Sequence, residues 1–99
     1  MEMENNFDLR RIPPHNILFV VTSERDYDMS RIILAEDTPN FGDYVLIDGG
    51  HCSCYGFDET SWDAMFLNAD ELEKVLTGWI DHGLDLERRM ADLAIGHVR

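Results

Sequence analysis

Between Ile32 and Glu73 the chain has no lysine and no arginine. That block carries ten acids and sums to −10, whereas Met1–Arg31 (six acids, four bases) sums to −2 and Lys74–Arg99 (four of each) to zero. A central stretch without a cation repels phosphate, so direct binding to nucleic acid or to an anionic membrane is not expected. Long apolar runs are missing too. The longest, Ile17 to Val21, has the length of a strand, and nothing is expected to span a bilayer. Cysteine is scarce: Cys52 and Cys54 stand one residue apart, which is no disulfide framework for a secreted scaffold. The opening "MEMENNFDLRRIPPHN" is acidic and polar, the reverse of a secretory signal. Together these absences predict a cytoplasmic protein with free thiols.

What is present is globular. The 99 residues are 44% hydrophobic, with five Phe, three Tyr and two Trp, too apolar for a disordered acidic tail. One domain is expected over residues 15–99, preceded by a flexible arm over 1–14 that Pro13-Pro14 stiffens at its end. "NILFVV" (from Asn16) is apolar on both faces, as a strand covered on both sides would be. "SERDYDM" reads as a polar turn, "SRIILAE" (from Ser30) as a second strand and "EDTPNFGD" (from Glu36) as a loop. "DYVLID" (from Asp43) reads as a third strand closed by a Gly49-Gly50 turn, with "HCSCYGF" as a fourth paired around it. "SWDAMFL" (from Ser61) alternates Trp62, Ala64 and Phe66 against Asp63 and Met65, a fifth strand.

From Asn68 the period changes. Asn68 and Glu71 have the spacing of a capping box, and Leu72, Val75, Leu76 and Trp79 form a helical stripe that Gly83 ends. Leu86, Met90, Leu93 and Ala94 repeat the stripe in a second helix, broken near Gly96. The expected fold is α+β: an antiparallel sheet of about four to five strands followed by two C-terminal helices packed on one face. Trp62 and Trp79 are expected in the core.

Chemistry-bearing patterns are few. Two thiols and two imidazoles suffice for zinc in number, so Cys52, Cys54, His82 and His97 define an alternative reading as a small metal-binding module. The single-residue gap between the cysteines is short for such a site. On a strand, His51, Ser53 and Tyr55 share the face opposite the thiols, so small buried cysteines on a crowded sheet are the expected state. An acidic setting disfavours the thiolate that a nucleophilic cysteine needs, so no catalytic residue and no cofactor are expected. "DYDMS" places Arg31 where a calcium loop requires Gly. The glycines at 42, 49 and 50 lack the lysine of a phosphate cradle. The last two helices do not suit a DNA groove, since Arg88 and Arg89 are flanked by Asp85, Glu87 and Asp92.

The acids remain. Same-face residues on a strand recur about every 6.6 Å, and a DNA strand carries a phosphate about every 3.4 Å, so carboxylates on a sheet can imitate a phosphate row. Asp43, Asp48, Asp58, Glu59, Asp63, Asp70 and Glu73 are the candidates for such a partner-binding surface, and the partner would be a basic protein. A homodimer formed through an unpaired sheet edge, its acids serving solubility alone, is the third reading.

The segment from Tyr44 to Trp79, "YVLIDGGHCSCYGFDETSWDAMFLNADELEKVLTGW", resembles small acidic reading frames of phage and prophage type. In those, a strand, an "HCSCY-[GD]-F-[DE]" stretch, a Trp and a helix opening with acids follow in this order. The resemblance covers about a third of the chain and carries over no catalytic residue. It implies context: a non-enzymatic phage accessory protein in the host cytoplasm, inhibiting a basic nucleic-acid-handling host or defence protein by mimicry.

Overall fold

The computed structural model describes residues 2–25, 28–37, 43–52 and 62–98. Five strands form one antiparallel sheet: β1 (Glu2–Glu4), β2 (Ile17–Arg25), β3 (Asp28–Asp37), β4 (Asp43–Cys52) and β5 (Trp62–Leu67), in the spatial order β1-β5-β4-β3-β2. Helices α1 (Ala69–His82) and α2 (Asp85–Val98) follow and pack on one face. The α+β architecture is therefore the one expected. Among the described residues, no helix is long and apolar enough to cross a membrane.

Alternation along the central strands decides what each face touches. Ile32, Leu34 and Leu46 point to the helices, where they meet Leu67, Leu72, Leu76, Met90, Ala91 and Ala94 in one buried cluster. Ile33, Ala35, Val45, Ile47 and Ala64 point the other way, into a second cluster with Trp62. Both faces of the central stretches Ile32–Ala35 and Val45–Ile47 are thus dry, which is why they read as continuous apolar runs.

The cover of that second face comes from the N-terminal segment, and this corrects the expectation of a flexible arm. β1 pairs with β5, Phe7 N–H continues the pairing by donating to the Trp62 carbonyl at 2.7 Å, and Asn6 turns the chain with a left-handed φ of 55°. Phe7 (4% exposed) and Ile12 (9%) then sink against the sheet. Phe7 meets the Phe66 ring edge-on at 5.9 Å, and the Arg11 guanidinium covers it at 4.8 Å while gripping Glu4. Polar composition hid two apolar residues placed where the sheet needed them.

Other differences are local. Gly49 and Gly50 do not turn. They continue β4 opposite Arg31 and Ser30, and the strand runs on to Cys52 opposite Asp28. The polar residues read as a turn after Val21 are mostly ladder, extending to Arg25 opposite Asp28. The proposed "HCSCYGF" strand gives only His51 and Cys52 to β4, and the rest of it lies outside the described residues. In α2 the inward stripe uses Ala91 rather than Leu93, which is 51% exposed, and the helix continues through Gly96.

The capping box at α1 forms as its spacing predicts. Asn68 Oδ1 accepts from Glu71 N–H at 2.8 Å, and Glu71 Oε1 accepts from Asn68 N–H at 3.1 Å. Gly83 is required by space: a Cβ there would meet the Trp79 carbonyl oxygen at 2.5 Å. Trp62 is buried as expected, and Trp79 is half-buried against the helix-side cluster.

Replacing Phe7 by alanine should cost about 3 kcal/mol, the scale for truncating a buried aromatic, read as a shift of the denaturant midpoint. A change under about 0.5 kcal/mol would mean that this segment does not hold the sheet.

Candidate partner-binding site

Two acids share the helix-side face of the sheet with the core. Asp48 follows Tyr44 and Leu46 by even steps along β4, and Asp63 precedes Met65 and Leu67 by even steps along β5. The ladder sets Asp48 directly opposite Asp63. Cβ atoms of such a pair lie about 4.5–5.5 Å apart, and like charges there destabilise. The α1–α2 turn roofs this end of the sheet and adds Asp85 and Glu87 from the first turn of α2. Glu87 also caps its helix, its Oε1 accepting from Leu84 N–H at 2.9 Å.

Sheet and roof leave a hollow of two adjoining lobes that share Ile32, Asp48, Asp63 and Glu87. The outer lobe, about 500 Å³ and half-open, reaches Ser30, Gly50 and Leu84. The inner lobe, about 240 Å³ and more enclosed, is walled by Met3, Leu46, Met65 and Trp79. Lost hydration pushes the Asp48 carboxyl above the usual carboxylate range. Asp63 and, less strongly, Glu87 add to the rise, while a backbone hydrogen bond opposes it.

The seven acids singled out in the sequence do not form one row. Asp48 and Asp63 come together. Asp43 opens β4, five residues and roughly 17 Å from Asp48 at strand rise. Asp70 and Glu73 lie on α1 beside Lys74 and Thr77, bordering a separate shallow surface. Asp58 and Glu59 lie outside the described residues. Asp85 and Glu87 were missed because acids in a first helical turn already have a local explanation in the helix dipole. Only the packing of α2 on the sheet carries them to Asp48.

The alternative ligand set separates. His97 packs edge-on against Phe19 and Tyr44, with ring centroids 5.9 and 6.3 Å apart. Tyr44 is eight residues, about 27 Å of strand, from Cys52 at the far end of β4, so His97 and Cys52 cannot share a metal. His82 is exposed at the end of α1, and Cys54 lies outside the described residues. No group of three or more His, Cys, Asp or Glu is arranged to hold a metal ion among the described residues.

A carboxyl whose native pKa is raised keeps its proton longer in the folded state, so stability falls as pH rises from the ordinary Asp range through the raised value. Asp48→Asn should therefore stabilise the fold at neutral pH. Screening at this partly exposed site limits the gain to under about 1 kcal/mol, or up to about 4 °C in Tm. The gain should vanish below about pH 3.9, where the unfolded carboxyl is also protonated. A gain that persists in acid would assign it to packing instead.

The chain matches no family model, no curated protein and no solved structure.

Proposed function

We propose that this is a non-enzymatic protein that binds a basic, nucleic-acid-handling protein through its acidic surface, as a phage-type inhibitor acting in its host. The observation that carries this reading is the acidic end of the sheet, where Asp48 and Asp63 lie side by side beneath Asp85 and Glu87. Carboxylates held together at an electrostatic cost favour the arrival of cations, and a lysine- or arginine-rich surface supplies them. This patch is compact, so the mimicry is of a few phosphates rather than a long row. Leu84, 76% exposed at the rim, adds apolar contact beside the charge.

The test is capture from a bacterial host lysate at low and high salt, using wild type, Asp63→Lys/Glu87→Lys and, for the separate α1 surface, Asp70→Lys/Glu73→Lys. Wild type should retain a basic nucleic-acid-binding protein at low salt only, and DNA should displace it. The Asp63→Lys/Glu87→Lys variant should lose it and the α1 variant should keep it. Capture indifferent to both reversals would end the electrostatic reading.

One observation favours the homodimer as a second reading. β2 is an edge strand of nine residues, and its stretch Ile17–Ser23 carries no charge. Val20 is 46% exposed there. Natural edges are usually blunted by charges, and here Arg89 donates to the Thr22 carbonyl at 3.1 Å. A second copy adding antiparallel at β2 would give twice the chain mass by light scattering, and Val20→Lys would return the monomer. A monomeric wild type at high concentration ends this reading.

A further inference from the structure

The inner lobe of the hollow has a chemistry narrower than negative charge. Its walls are Met3, Leu46, Met65 and Trp79, and its polar rim is Asp48, Asp63 and Glu87. At about 240 Å³ it is smaller than the roughly 300–1,000 Å³ of pockets that take drug-sized ligands. Apolar walls that lead to carboxylates suit a long aliphatic stem that ends in a cation. We infer that the inner lobe seats an arginine side chain of the protein partner, with the stem against Met3 and Met65 and the guanidinium between Trp79 and the Asp48–Asp63 pair. The inference rests on the acidic-surface reading and names the anchor within it.

Arginine is favoured over lysine on three grounds. A planar guanidinium stacks on an indole face, meets a carboxylate with two parallel N–H donors, and is more weakly hydrated than an ammonium. Lower hydration matters beside Asp48, whose carboxyl is raised by partial loss of water. Among the described residues, no lysine or arginine lines the inner lobe. Arg31 precedes Ile32 in β3, so its side chain leaves from the opposite face, where its Nε donates to Thr22 Oγ1 at 3.0 Å. The methionine walls adapt their shape to an entering side chain, and Met3 is 69% exposed.

The test titrates the full ¹⁵N-labelled chain with capped Gly-Gly-X-Gly-Gly peptides in which X is arginine, lysine or citrulline, the neutral isostere of arginine. The arginine peptide should shift the Trp79 indole N–H and the Asp48 and Asp63 amides saturably. Trp62, 6% exposed in the cluster on the other face, should stay still as an internal reference. Lysine should bind several-fold more weakly and citrulline not measurably. Asp48→Asn/Asp63→Asn, which keeps the shape, should weaken the arginine peptide about tenfold or more, its own spectrum showing the fold intact.

Equal binding of lysine and arginine, equal binding of citrulline, or shifts spread over Asp70 and Glu73 would each overturn the assignment. Failure here leaves the broader reading separable. If Asp63→Lys/Glu87→Lys still abolishes capture of the basic partner, the acidic surface stands without this anchor; if capture also fails, both fall.

Discussion

The rest of the structure depends on one requirement, that the middles of β3 and β4 be dry on both faces. Each strand alternates large apolar side chains in both directions, so a sheet covered on one side would leave Ile33, Val45 and Ile47 in water. Burying one such side chain is worth about 1.5–3 kcal/mol, so a bare face could not be tolerated in a chain of this size. Two helices cover the first face. The second is covered by a short stretch that contributes Phe7 and Ile12 and is fastened at its start by pairing with β5. The alanines at 35 and 64, both fully buried, let that thin cover lie close to the sheet.

Against this apolar background the Asp48–Asp63 end is the departure. The cross-strand row that begins with Val21 and Ile32 ends in two carboxylates where the pattern would place two more apolar residues. The first turn of α2 brings Asp85 and Glu87 beside them, and Glu87 adds to the rise of the Asp48 carboxyl. Burial and the neighbouring Asp63 hold the Asp48 carboxyl above its ordinary range. Sites that break a local rule without full internal compensation are where a partner's contribution is to be sought.

The fold class could be read from the sequence because its strongest periodicities are local. The helical stripe from Leu72 to Trp79, the Asn68–Glu71 box and the alternation after Trp62 all depend on neighbours a few residues away. What failed depended on distance along the chain. Nothing near Phe7 says that it will lie against Phe66, and Gly49-Gly50 looks like a turn unless Arg31 and Ser30 are known to face it. The site divides in the same way. Asp48 and Asp63 were among the acids singled out, but strand register was needed to join them. Asp85, Glu87 and Trp79 enter only through the angle at which the helical hairpin settles on the sheet.

The pairing of β1 with β5 joins Glu2 to Phe66 across nearly two-thirds of the chain. A nascent polypeptide therefore leaves the ribosome with its first strand lacking a partner until β5 has followed it out. In that interval Phe7 and Ile12 are not yet fastened over the far face of the β2–β3–β4 meander. Sheet growth can begin at the β2–β3 hairpin, but the first strand can join only after the fifth has formed. Loop closure over such a span slows folding more than it weakens the finished state. Extensions fused ahead of Met1 would therefore be expected to disturb the rate of acquiring the fold before they disturb its stability.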